Sequence, residues 1–220
     1  MAALRSIALL GGTFDPIHIG HLRAGIELRE QLGFDEVRLV PCHLPPHRAT
    51  PSVDSAARRA MVALAVENIE GLRLDDRELK RSGPSFTIDT LIETRAEIGA
   101  ECSLILAMGV DAFAALDTWQ RWRELLNYAH LVVMERPDSK LPQHGVVAEL
   151  LQRHRAEKSA LHERTHGAIV SFALPPLAVA ATNVRNLIAA RRSPRYLVPD
   201  AVCDYIREHD LYVARKPIRD

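Results

Sequence analysis

Residues 7–33 read IALLGGTFDPIHIGHLRAGIELREQLG. Ile7–Leu10 is an unbroken apolar run, the pattern of a strand buried on both faces. It stops at Gly11-Gly12 and the period changes. Ile19, Leu22 and Ile26 recur at helical spacing, and Gly33 is a suitable C-terminal stop. The same alternation continues along the chain. Val37–Val40, Leu104–Ala107, Leu131–Met134 and Ile169–Phe172 read as further buried strands, with Leu72–Leu74 a weaker one. Residues 54–69 and 87–98 read as helices. Short apolar strands alternating with helices predict an α/β fold, a doubly wound parallel sheet covered on both faces.

Two stretches interrupt the alternation. Residues 41–51, PCHLPPHRATP, hold four prolines and predict an extended loop. Residues 137–166 are polar and charged, with a helical middle around Val146–Leu151. The tail, 182–213, reads as two helices, the second ending near Tyr205–His209. The reading is one domain over 1–220, with a small C-terminal helical region over about 182–213.

Composition bounds the function. The chain has 220 residues, 47% hydrophobic and 25% charged, an ordinary globular balance. A chain of this size buries about 70% of its extended surface, enough for a core without staples. Lys plus Arg and Asp plus Glu are both 28, so no basic excess suggests a duplex nucleic-acid binder. Cys42, Cys102 and Cys203 are odd in number and form no C-x-x-C pair, which fits a reducing compartment. The apolar run at Ile7–Leu10 is too short for a signal peptide. The stretch near 168–181 is broken by Ser171, Pro175 and Pro176, so no membrane span is expected. A cytoplasmic protein is the expectation, and both monomer and homodimer stay open.

The chemistry-bearing segment is GGTFDPIHIGH, 11–21. In open α/β sheets ligands sit at the carboxyl ends of strands. Gly11 and Gly12 allow backbone amides close to a ligand, and a helix start offers N–H groups and a positive dipole end to an anion. His18 and His21, three apart, are expected on one face of the first turn, with Gly20 keeping that surface open. The dipole opposes two cations there, and a bound polyphosphate reverses that. An isolated H-x-x-H more often marks a metal site or plain surface; the strand and Gly-Gly turn before it favour phosphate. There is no G-x-x-x-x-G-K-[ST], and no G-x-G-x-x-G after the first strand, which excludes the P-loop and the usual dinucleotide fingerprint. His144, His154, His162 and His166 are irregularly spaced among charged neighbours and read as a solvated insertion rather than a metal site.

GGTFDPIHIGHL resembles the signature of the nucleotidyltransferase superfamily that carries an H-x-G-H motif. Further matches follow in order: VPCHLPPHR (40–48), PSFTIDTL (84–91), MGVDAFAALDTWQRW (108–122), HLVVMERPD (130–138), then TNVRNLI and RYLVPDAVCDYIREHDLY near the end. Together they are similar to the bacterial nicotinate-nucleotide adenylyltransferases; only 139–167 carries no match. The resemblance implies a Rossmann-like sheet and the joining of nicotinate mononucleotide to the AMP part of ATP, with release of deamido-NAD and pyrophosphate.

It also implies site residues. His18, His21 and Arg185 would be catalytic. Gly11, Gly12, Thr13, Phe14, Gly109, Asp111 and Thr182 would bind ATP. Arg48, Thr87 and Trp119 would bind nicotinate mononucleotide, Trp119 by stacking on the pyridine ring and Thr87 through its backbone amide. No metal site of the protein's own is implied; magnesium would travel with ATP. Read alone, Thr182 is a helix cap, Arg48 a solvated charge and Trp122 core, while Asp111 is equally a cap or a contact to the adenosine. The chain departs from the family at Ala180, where a serine is usual, which removes one phosphate-binding hydroxyl. A related enzyme with another phosphorylated acceptor, such as phosphopantetheine or glycerol phosphate, and a degenerate nucleotide-binding module remain as alternatives.

Overall fold

The computed structural model describes residues 4–44, 50–137 and 139–213. Six strands form one all-parallel sheet: β1 (Ser6–Gly12), β2 (Glu36–Pro41), β3 (Leu72–Leu74), β4 (Ser103–Gly109), β5 (His130–Glu135) and β6 (Ile169–Ala173). Their order is β3-β2-β1-β4-β5-β6. The order reverses between β1 and β4, so the crevice for a ligand opens at the carboxyl ends of those two strands. All six expected strands form, each as long as its apolar run or slightly longer.

The period-two alternation along β1 sorts its side chains between two cores. Ala8 and Leu10 join a cluster on one face with α1 (Ile19–Leu32), α2 (Ser55–Val66), α7 (Ala181–Ala189) and α8 (Asp200–Glu208). Ile7 and Leu9 join a second cluster on the other face with α3 (Thr87–Ile98), α4 (Val110–Ala114) and α5 (Val146–His154). Helices therefore cover both faces, as a doubly wound sheet requires. α1 ends as expected at Gly33, left-handed with φ 69°. Asp54 caps α2 by accepting the Ala57 N–H at 2.7 Å.

Differences lie in short elements. The polar insertion holds α5, three residues longer than its sequence reading, and α6 (Ala160–Glu163), which was not expected. Neither α4 nor the 3-10 turns at Leu116–Thr118 and Trp122–Asn127 were foreseen, because they are shorter than a helical period pattern needs. Two histidines of the insertion bind backbone, and His166 Nδ1 meets the neighbouring Thr165 hydroxyl at 3.0 Å. His162 Nε2 bonds Leu32 O at 2.7 Å, and His154 Nδ1 bonds Gly167 O at 3.0 Å. No helix among the described residues is long and apolar enough to cross a membrane.

Candidate active site

Beyond β1 the chain turns through Thr13 and Phe14 and enters α1 at His18. Phe14 takes a left-handed φ of 50° and its ring is buried. A Cβ on Gly12 would lie 2.8 Å from that ring, whereas a Cβ on Gly11 would meet nothing. Gly12 is thus required by packing, and Gly11 borders open space.

His18 corrects the sequence reading. It is the residue before the helix, with extended backbone (φ −145°, ψ 169°), and only His21 lies inside the first turn. The rings meet by stacking, with centroids 3.7 Å apart and an interplanar angle of 20°. The His18 N–H donates to His21 Nδ1 at 3.3 Å, which places the proton of neutral His21 on Nε2, a donor suited to phosphate. Phe14 supports His21 edge-on at 5.0 Å. A Cβ on Gly20 would stand 3.1 Å from the His18 ring, so the glycine makes room for the imidazole.

The helix start is also narrower than expected. The Ile19 N–H donates to Leu197 O at 2.9 Å, so the RYLVP loop occupies one donor that an anion would use. Among the described residues the Gly20 N–H is bonded to none.

Burial, helped by the charge of Arg136, lowers the His18 pKa to about 4. His18 is then neutral at pH 7. Arg136, at the carboxyl end of β5, is a cation near the site that the sequence reading noted only within a longer match. His130 also falls to about 4, chiefly through burial, against an opposing bond to Arg164 O. Its Nδ1 accepts the Ala168 N–H at 3.0 Å, so protonation costs that bond. Both groups are depressed bases, and the unfolded chain binds more protons between the two pKa values. Stability is therefore expected to fall as pH drops from about 6.5 toward 4, by up to about 1.4 kcal/mol per pH unit for each histidine. Urea unfolding measured across that window checks this. A flat profile would mean that neither imidazole is held neutral.

Arg185 and Thr182 come to the same place from α7. Arg185 Nη1 donates to the main-chain oxygen of Asp15 at 2.6 Å, and Nη2 to Thr182 Oγ1 at 3.3 Å. Thr182 does not cap its helix. The N-cap is Ala180, which makes no side-chain cap bond, and Thr182 is the second helical residue with its hydroxyl on Arg185. A serine at 180 would have supplied that cap; alanine leaves it unfilled.

Arg58 was not anticipated. It is 1% exposed and lies beneath the turn. Its guanidinium donates to Thr13 O at 2.8 Å, Cys42 O at 2.6 Å, His43 O at 3.2 Å and Ser55 Oγ at 3.1 Å. One side chain thus joins the glycine turn, the loop after β2 and the start of α2.

Of the residues assigned to the second substrate, Thr87 and Trp119 lie toward the other face. Arg48 is outside the described residues. The loop that leads to it is tied to the start of α3: His43 N–H donates to Ser85 Oγ at 2.9 Å, and Ser85 N–H to Leu44 O at 3.1 Å. Thr87 is the first residue of α3, where backbone N–H groups lack helical partners. Trp119 is half-buried and, like Phe86, packs against the second core; Trp122 belongs to that core, as expected. Gly109 precedes α4 at the end of β4, with open space where a Cβ would be, and Asp111 is exposed in the first turn rather than capping it.

A parallel sheet of this order, with a glycine turn and a histidine-led helix at its switch point, defines a nucleotidyltransferase-class α/β protein. The pattern of the cytidylyltransferase-like family matches residues 9–198. Two bacterial relatives bear the name probable nicotinate-nucleotide adenylyltransferase. The Cellvibrio japonicus protein is 49% identical over 94% of this chain and 98% of its own length. That of Aeromonas hydrophila is 52% identical over 94% and 96%. The chain belongs to the nicotinate-nucleotide adenylyltransferase family. The solved Plasmodium falciparum nicotinic acid mononucleotide adenylyltransferase, complexed with NaAD, aligns with a TM-score of 0.71 over 94% of this chain and 97% of that one. At 18% identity it bears on the fold alone.

Proposed function

We propose that this chain transfers the AMP part of ATP to the phosphate of nicotinate mononucleotide, releasing pyrophosphate and forming deamido-NAD. The observation that carries this reading is the bond from Arg185 to the Asp15 carbonyl, 170 residues away in sequence. It brings both nucleotidyltransferase motifs to one point beside the stacked histidines.

The nucleophile needs no general base, because a phosphate monoester has its second pKa near about 6 and is already an anion. Direct in-line attack needs positioning and relief of anion–anion repulsion. In this reading Gly11, Gly12, Thr13 and Phe14 line the approach, and His18, His21 and Arg185 hold the phosphates. Thr182 orients Arg185, and Gly109 and Asp111 border the adenosine side. No three His, Cys, Asp or Glu side chains converge as metal ligands among the described residues. Magnesium belongs to the substrate, bound to the phosphates of ATP.

Arg48, Thr87 and Trp119 take the second nucleotide. The N–H groups at the start of α3 are donors that favour a carboxylate over an amide, which presents its own N–H. A coupled assay with ATP and nicotinate mononucleotide, nicotinamide mononucleotide or phosphopantetheine tests the acceptor. Turnover confined to the last would overturn the assignment.

Trp119→Ala is expected to raise the KM for nicotinate mononucleotide about 5- to 150-fold, with the KM for ATP nearly unchanged, since base–aromatic stacking contributes about 1–3 kcal/mol. Steady-state kinetics with each substrate varied decides it. Equal changes in both constants would make Trp119 a packing residue only.

A further inference from the structure

We infer that Tyr212 is a positioning residue for Arg185, acting through Asp15, so that residues 210–212, just after α8, form part of the phosphate-binding centre. The inference rests on the function proposed above. Asp15 is 6% exposed, and its carboxylate lies 3.9 Å from Arg185 Nη1. A buried carboxylate at that distance would draw the guanidinium into a bidentate pair and turn it away from phosphate. Instead, both carboxylate oxygens are engaged by neutral donors. Oδ2 accepts the Ser52 N–H at 2.6 Å, and Oδ1 accepts the Tyr212 hydroxyl at 2.7 Å. Arg185 is held by the neutral main-chain oxygen of Asp15 and keeps its charge for the substrate.

The path of the chain supports this role. After α8, Asp210 and Tyr212 adopt left-handed φ values of 48° and 61°. Such residues rarely occupy that region unless their surroundings impose it. Leu211 N–H bonds back to Ile206 O at 3.0 Å, and Leu211 and Tyr212 pack against the core formed with Val202 and Ile206. Burial first, and then the bond to Asp15, push the phenol pKa up, so the hydroxyl keeps its proton and remains a donor.

The test compares wild type, Tyr212→Phe and Tyr212→Phe with Asp15→Asn, reading Tm and both KM values. Tyr212→Phe is expected to raise the KM for ATP about tenfold, as for the loss of one bond to a charged group. The KM for nicotinate mononucleotide should change far less. Adding Asp15→Asn should recover much of the loss, because the amide oxygen still accepts from Ser52 but carries no charge to capture Arg185. A structural strut predicts the reverse, with the second change compounding the first. That outcome, or unchanged ATP constants at a lower Tm, overturns the inference. Calorimetric ATP binding without acceptor reads the same comparison if another mononucleotide proves to be the acceptor. A wild type that binds no ATP overturns both this inference and the proposed function.

Discussion

His18→Ala is expected to lower kcat by about 100- to 1000-fold, the usual cost of removing one preorganised donor to developing charge. The imidazole is 5% exposed, stacked on His21 and held at the entrance to α1. The variant should remain folded. In the free protein His18 is a buried base with a lowered pKa, so its burial opposes protonation, and removing it does not strand a charge. The measurement is kcat at saturating substrates beside the Tm. His21→Ala should also fall by orders of magnitude, since His21 is His18's stacking partner and takes its N–H bond. A His18→Ala enzyme with wild-type kcat would remove the histidine pair from the mechanism.

Arg58→Met is expected to cost about 3 kcal/mol or more, because it takes a donor from the Thr13, Cys42 and His43 carbonyl oxygens, at about 1–3 kcal/mol for each one left unsatisfied, while the Ser55 hydroxyl keeps its bond to His43 Nδ1. For a chain of this length that corresponds to a fall in Tm of roughly 10 °C. The methionine keeps the volume, so the loss reports the bonds rather than a cavity. Because Arg58 holds Thr13, Cys42 and His43 together, both KM values should rise with the loss of stability. Arg58→Lys should rescue little, since an ammonium lacks the planar fork that reaches several acceptors. Thermal unfolding with steady-state kinetics checks both claims. A methionine variant as stable as wild type would mean that solvent already satisfies those carbonyls.

The sequence by itself determined the strands, the main helices and where the glycine turn of the candidate site falls, at the end of β1. Those features leave periodic or local marks: Ile7–Leu10 must be buried on both faces, Gly33 must stop a helix, and a Gly-Gly turn before His18 must lie at a strand end. The grouping of His18, His21, Thr182 and Arg185 was legible through motifs, though not the contacts that join them. Only the tertiary structure decided that His18 stands outside the helix, that Thr182 serves Arg185 rather than the helix end, and that Leu197 takes the first amide of α1.

It alone also disclosed the arginines that fasten loops through backbone oxygens. Arg58 does so beneath the site. Arg95 does so among the loops around β4 and β5, through Cys102 O, Tyr128 O and Thr165 O. Every residue carries a carbonyl, so such partners leave no trace in side-chain identity. Tyr212 and Asp15 meet across 197 residues. Nothing local in either segment requires the other, and the contact exists only because α8 packs on the same face of the sheet as α1 and α7.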